Sequence, residues 1–171
     1  MRKLQKGLSL IEVALVLALS AVVVAGALIY YSYAAESYKM QKSIEELQSI
    51  NATVQSLYAN HSISAGGFGF AQSIIKASRL NTTIQAKVEK IAFPIGGVLE
   101  LWGSGKIYYA EIQKFSIPEC IRMSTLNLGT SMLKSPEVIK GNEEPQQTNF
   151  SHQKAAELCK TGTKIRFTMR T

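Results

Sequence analysis

The feature that most constrains this chain is an apolar run close to its N-terminus. From Leu8 to Tyr31 the only charged residue is Glu12, and the seven residues before the run include Arg2, Lys3 and Lys6. About 20 apolar residues can cross the hydrocarbon core of a bilayer, and basic residues beside such a span keep that end in the cytoplasm. The sequence therefore predicts a membrane span followed by a head outside the cytoplasm.

The apolar run continues into a second helical segment. No Gly or Pro occurs between Ala34 and Tyr58, where apolar residues recur at three- and four-residue steps: Ile44, Leu47, Ile50, Val54 and Leu57. This spacing predicts one amphipathic helix face. We expect a single helix from about residue 8 to residue 60, roughly 75 Å long at 1.5 Å per residue, with Gly26 as its main weak point. A conventional cleaved signal peptide has a shorter apolar core, of roughly 7 to 15 residues.

The charge of the chain is modest once the basic N-terminus is set aside. The formal net charge is +7, from 19 cationic and 12 acidic residues, and three of the cations precede Gly7, which leaves +4. No basic run is interleaved with aromatic residues, so we expect no nucleic-acid partner. The sequence also lacks a Gly-rich phosphate loop and a cluster of metal ligands, and we expect no cofactor and no metal.

The two cysteines, Cys120 and Cys159, predict a disulfide. An even number of cysteines after a membrane-targeting segment is typical of a protein folded in an oxidising compartment. The competing interpretation, a metal site, lacks a CxxC motif or a nearby pair of histidines. A bridge closing a loop of about 40 residues would stabilise the fold by roughly 4 kcal/mol.

The rest of the chain predicts an α+β head. Val98–Trp102 and Lys106–Ile112 flank Gly103-Ser-Gly105 and predict a β-hairpin, and Lys164–Met169 alternates as a strand does. The expected fold class is a long N-terminal helix packed against an antiparallel sheet in a disulfide-closed head.

Shorter helices are expected between these strands. Ala71–Leu80 predicts one, and Ser116 with the following Pro118 predicts another that carries Cys120 and stops at Gly129. A further short helix is expected at Ser151–Cys159. Between the last two helices, Lys134–Asn149 contains two Pro, a Gly and a Glu pair, and we expect an exposed loop there.

The N-terminal residues resemble a known signal. Lys6-Gly7-Leu8-Ser9-Leu10-Ile11-Glu12, followed by the apolar run, is similar to the class III signal of type IV pilins. The resemblance implies that a prepilin peptidase cuts between Gly7 and Leu8 and that the new amino group of Leu8 is methylated. It also implies that Glu12 neutralises the N-terminal amine of an adjacent subunit during assembly.

The head carries a second resemblance. Phe93-Pro-Ile-Gly-Gly97 and the stretch from Cys120 to Ser131 resemble bundlins, the subunits of bundle-forming pili, within the type IVb subclass. The implied partners are identical subunits, the prepilin peptidase, the inner membrane before assembly and the pilus assembly machinery. The implied product is an extracellular fibre for adhesion and bundling. The expected divisions are a leader at 1–7, a membrane and assembly helix at 8–33 and a head at 34–171.

Three alternatives remain open at this point. A minor pilin or a type II secretion pseudopilin would share the N-terminal signal, and a membrane-anchored enzyme or binding domain would keep its helix uncut. An enzyme is not expected. Ser151-His-Gln-Lys154 and Lys160-Thr-Gly162 match two motifs of penicillin-interacting serine enzymes, but those motifs need a large domain between them.

Overall fold

The computed structural model describes residues 10–64, 68–78, 91–160 and 162–171, so Gly7 and Leu8 lie outside the described residues. The chain divides into two compact units, residues 1–38 and residues 39–171. Helix α1, Leu10–Tyr58, is continuous through Gly26 and belongs to both units. The predicted long helix is confirmed over its described residues, and it ends about two residues earlier than expected.

The unit from residue 39 to residue 171 is built on an antiparallel sheet. Within the described ranges the strands are β1 (Ile91–Phe93), β2 (Gly97–Ser104), β3 (Ile107–Gln113), β4 (Glu137–Lys140), β5 (Gln146–Gln147) and β6 (Thr163–Arg170). Their order in the sheet is β1-β2-β3-β6-β4-β5. Three short helices accompany it: α2 (Phe68–Ser78), α3 (Ile117–Ser124) and α4 (His152–Leu158). The expected α+β class is confirmed.

The predicted hairpin is present as β2 and β3. Gly105 sits at its turn with a φ of +64°, a left-handed conformation that glycine adopts without a steric penalty. The turn also pairs with the segment that follows α1, because the Ile63 and Gly105 backbones exchange two hydrogen bonds of 2.7 and 2.9 Å. A Cβ on Gly103 would lie 2.7 Å from the end of the Ile63 side chain, so any other residue there would displace that side chain.

The core lies on one face of the sheet. Leu47, Ile50 and Val54 from α1 are fully buried, and the β6 side chains Ile165, Phe167 and Met169 are buried on the sheet face that meets them. The strand period of two predicted this alternation in β6. Helix α2 completes the core with Phe70, Ala71 and Ile74.

The expected exposed loop at Lys134–Asn149 is wrong. This segment contains β4, which pairs with β6, and β5, which pairs with β4. Val138 and Ile139 are buried, whereas residues 140–147, which include β5, are exposed. The two prolines do not prevent these strands, because Pro136 and Pro145 each precede a strand rather than lie inside it.

The predicted start of α3 is confirmed, and its predicted end is wrong. The Ser116 backbone N–H donates to the Glu119 carboxylate at 2.7 Å at the start of α3, as a capped helix requires. That helix ends at Ser124 rather than at Gly129, since Thr125 caps it. The Thr125 hydroxyl donates to the Ile121 carbonyl at 3.1 Å. Helix α4 is confirmed, with Ser151 as its N-cap and Cys159 as its C-cap.

Candidate functional site

The first half of α1 exposes its apolar side chains on all sides. The large apolar side chains from Leu10 to Tyr33 are between 43% and 90% exposed, and none of the most apolar 18-residue stretch is buried. By length and composition this helix can cross a membrane. Exposed apolar surface of this extent is not stable in water, so lipid or other protein must cover it.

Two serines in this half of α1 hydrogen-bond to backbone carbonyls of the same helix. The Ser20 hydroxyl donates to the Val16 carbonyl at 2.7 Å, and the Ser32 hydroxyl donates to the Ile29 carbonyl at 2.8 Å. A buried hydroxyl without a partner is costly in hydrocarbon, and these local bonds remove that cost. The helix surface is therefore compatible with lipid at both serines.

Glu12 is the one charged residue between Leu10 and Ala35, and it lies in the first turn of α1. A carboxylate at a helix N-terminus interacts favourably with the helix dipole. The predicted cleavage point, Gly7 and Leu8, lies outside the described residues.

The predicted disulfide is present between Cys120 and Cys159. The Cα atoms are 5.8 Å apart, and both cysteines are buried. Cys120 lies in α3 and Cys159 caps α4, so the bridge ties these two helices together. The Thr148 hydroxyl, in the segment before α4, also donates to the Ser124 carbonyl at the end of α3 at 2.6 Å.

A partly buried polar network joins α1 to the sheet. The Tyr108 hydroxyl donates to Asn51 Oδ1 at 2.8 Å, and Asn51 Nδ2 donates to Ser131 Oγ at 3.1 Å. Burial raises the pKa of Tyr108 above its ordinary range, so the hydroxyl keeps its proton. Sequence reasoning missed this network because its three members are far apart in the chain.

Glu46 is a second residue that sequence reasoning missed. It lies on α1 beside the buried Leu47, and its Oε2 atom is buried without a hydrogen-bond partner among the described residues. Loss of hydration raises the pKa of this carboxyl, and the nearby Lys42 partly opposes that rise. The carboxylate is therefore poorly compensated within one copy of the chain.

The sheet face opposite α1 carries an aromatic and ionic cluster, which we call the outer platform: Trp102, Tyr109, Glu111, Lys164 and Arg166. The Trp102 and Tyr109 rings stack with centroids 5.6 Å apart, and the Arg166 guanidinium lies 5.4 Å from the Trp102 centroid. Glu111 accepts from Arg166 Nη2 at 3.0 Å and pairs with Lys164 Nζ at 3.2 Å. The signal that could have found the platform is the alternation of these residues with apolar ones along β2, β3 and β6.

No group of three or more His, Cys, Asp or Glu side chains that could hold a metal ion occurs in the described part of the chain. The first of the two serine-enzyme motifs, Ser151-His-Gln-Lys154, has a structural role at the start of α4. Ser151 caps α4, and its hydroxyl accepts from the Lys154 backbone N–H at 3.4 Å.

Comparison with known proteins places these features in a family. A family model described as Bundlin matches residues 32–169. The chain belongs to the bundlin family. A second model, described as Prokaryotic N-terminal methylation motif, matches residues 2–28 of this bundlin-family chain, a range that includes Gly7, Leu8 and Glu12. That motif implies a processed precursor that assembles with pilin subunits.

Two relatives of this bundlin-family chain are named as the major structural subunit of bundle-forming pilus. One is from Escherichia coli O127:H6 (strain E2348/69 / EPEC) and the other from Escherichia coli O111:H-. Each is 36% identical over 137 residues, which cover 76% of this chain and 69% of the relative. The resemblance to bundlins drawn from the sequence is confirmed.

Proposed function

We propose that this chain is the structural subunit of a type IVb pilus and polymerises through its N-terminal helix into a surface fibre for adhesion and cell-to-cell bundling. The observation that carries the proposal is the exposed apolar half of α1. Its contacts with lipid must be replaced by contacts with neighbouring helices when it leaves the membrane. The role is structural rather than enzymatic.

The precursor is held in the inner membrane before assembly. Arg2, Lys3 and Lys6 keep its N-terminus in the cytoplasm, and the head lies in the periplasm, where the Cys120–Cys159 disulfide can form. A prepilin peptidase cuts between Gly7 and Leu8, and the new amino group of Leu8 is methylated. The match of the methylation motif to residues 2–28 supports this step.

Glu12 is the residue that sets the register between subunits. Cleavage creates a positive amine at Leu8, and a carboxylate in an apolar helix is costly unless an opposite charge compensates it. The amine of one subunit can pair with Glu12 of the next when the helices are displaced along the fibre axis. An uncut precursor lacks that amine at the required position, so cleavage precedes correct assembly. The pilus assembly machinery extracts the processed subunit from the membrane.

The variant Glu12→Ala tests this mechanism. We expect normal insertion into the inner membrane, because the substitution makes the span more apolar, and strongly reduced fibres on the cell surface. Glu36→Ala is the matched control, since Glu36 is an exposed carboxylate on the same helix beyond the apolar run, and it should leave the fibres unchanged. Fibres of the Glu12→Ala variant at wild-type abundance would contradict the amine-pairing mechanism.

A further inference from the structure

The outer platform lies on the sheet face that points away from α1. Register places Trp102 opposite Tyr109, and Glu111 opposite Arg166. Cross-strand partners share a face, and neighbouring residues along a strand alternate between faces. Tyr108, next to Tyr109, reaches Asn51 of α1, so the platform residues occupy the opposite face. The part of α1 that belongs to this unit therefore leaves the outer platform uncovered.

The charges on this face nearly balance. Three carboxylates, Glu100, Glu111 and Glu137, share the face with four cations, Lys134, Lys164, Arg166 and Arg170. Glu111 holds two of the cations, and Glu137 pairs with Lys134. Without residues 1–7 the chain is still basic, with a formal net charge of +4. Two copies would repel each other across most orientations, but the outer platform, with one carboxylate and two cations, can meet its own copy with little net repulsion.

The composition of the platform is that of a protein contact. Trp, Tyr and Arg are enriched among the residues that contribute most to binding between proteins. Trp102 and Tyr109 are half-buried, and the buried Glu111 fixes Arg166 beside their rings. Side chains held rigidly in this way lose little conformational freedom when a partner covers them.

From this geometry we propose that the outer platform is the surface through which the chain contacts a second copy of itself in a neighbouring fibre. The inference rests on the proposed function, because it requires fibres to exist. A self-complementary patch can pair about a two-fold axis, with the Trp102 ring of each copy against the aromatic and Arg side chains of the other. Each contact is small, but a fibre repeats it at every subunit, and repetition converts weak contacts into stable lateral association.

Trp102 is the only tryptophan of the chain, so its fluorescence reports on the platform without any substitution. We expect acrylamide to quench Trp102 in dispersed wild-type fibres and to quench it at least about twofold less in bundles, because the centre of a contact excludes solvent. Equal quenching in dispersed and bundled fibres would overturn the inference. Strong protection already present in dispersed fibres would also overturn it, since the platform would then be buried inside the fibre.

The variant Trp102→Ala tests the outer platform by removing its tryptophan ring. We expect fibres of normal number and diameter by electron microscopy, with the bundled fraction reduced by about tenfold or more, because the loss is repeated along each fibre. Phe150→Ala is the matched control, since Phe150 is an aromatic residue of the head that is 40% exposed, and it should leave bundling unchanged.

The outcomes separate this inference from the proposed function. An absence of fibres in the wild type would contradict the proposed function itself. Normal bundling of Trp102→Ala fibres would overturn the platform as a contact between copies. Normal bundling together with lost binding to immobilised glycans would overturn it as well and would identify the platform as a ligand site instead.

Discussion

Removal of the disulfide should destabilise the head strongly. The bridge joins residues 39 apart in sequence and connects α3 to α4, which flank the segment containing β4 and β5. Both cysteines are buried, and Cys120 Sγ lies 3.7 Å from the Thr163 hydroxyl at the start of β6. The double variant Cys120→Ala/Cys159→Ala removes the bridge without placing a serine hydroxyl in an apolar position.

The size of the expected destabilisation follows mainly from the entropy of the unfolded chain. A cross-link around a loop of about 40 residues removes chain entropy equivalent to about 4 kcal/mol at 25 °C. For a domain the size of the unit from residue 39 to residue 171, each kcal/mol shifts the melting temperature by about 3 to 5 °C. We therefore expect the double variant to melt roughly 10 to 20 °C below the oxidised wild type.

The assay is thermal unfolding of the full chain in detergent micelles, followed by near-ultraviolet circular dichroism. This signal reports side-chain packing around the head aromatics, such as Trp102 and Tyr109, and is little affected by helix content. Wild type treated with a reductant is the control and should melt with the double variant. A difference below about 2 °C between the double variant and the oxidised wild type would refute the reasoning, because that shift corresponds to less than 1 kcal/mol.

Two further predictions concern α1. Asn51→Ala should lower the free energy of unfolding by about 1 to 3 kcal/mol, because the buried Tyr108 hydroxyl loses its oxygen acceptor and keeps only the weakly accepting Met169 sulfur at 3.3 Å. Tyr108→Phe added to it should cost little more in denaturant titrations. Glu46→Gln should raise the melting temperature at pH 7. The pKa of Glu46 is raised above its ordinary 4.5 in the folded state, so the stability linked to its protonation is present below 4.5 and is lost as pH rises through the raised value. The gain from Gln should therefore shrink as the pH falls towards 4.5, and an advantage that is independent of pH would contradict desolvation as the cause.

Local patterns in the sequence were sufficient for the elements with strong periodicity. The step of three and four residues predicted the face of α1 that buries Leu47, Ile50 and Val54, and the alternation of Ile165, Phe167 and Met169 predicted β6. Gly103-Ser-Gly105 supplies turn residues between two apolar runs, and this local pattern predicted the hairpin.

Elements that depend on distant partners were not predictable in this way. Strands β4 and β5 are only four and two residues long, and β4 is stabilised by pairing with β6, which lies more than 20 residues further along the chain. The predicted stop of α3 at Gly129 failed because Thr125 ends the helix with its own local hydrogen bonds.

Some residues of the candidate site were also predictable from the sequence, and others were not. Glu12 and the cysteines are recognisable from residue type and spacing, and the methylation motif matches the N-terminal range that was singled out. For the outer platform, the alternation along each strand marks the outward residues but does not say which strands are neighbours. The platform requires the registers of β2, β3 and β6 to bring Trp102, Tyr109 and Arg166 onto one face.

The most direct test of the account is the mass of the mature chain in fibres sheared from cells. Mass spectrometry of the N-terminal peptide should find Leu8 as the first residue, carrying one methyl group on its amine, with Cys120 and Cys159 oxidised. An N-terminus at Met1, without methylation, would contradict the central claim that cleavage at Gly7 releases an assembly helix.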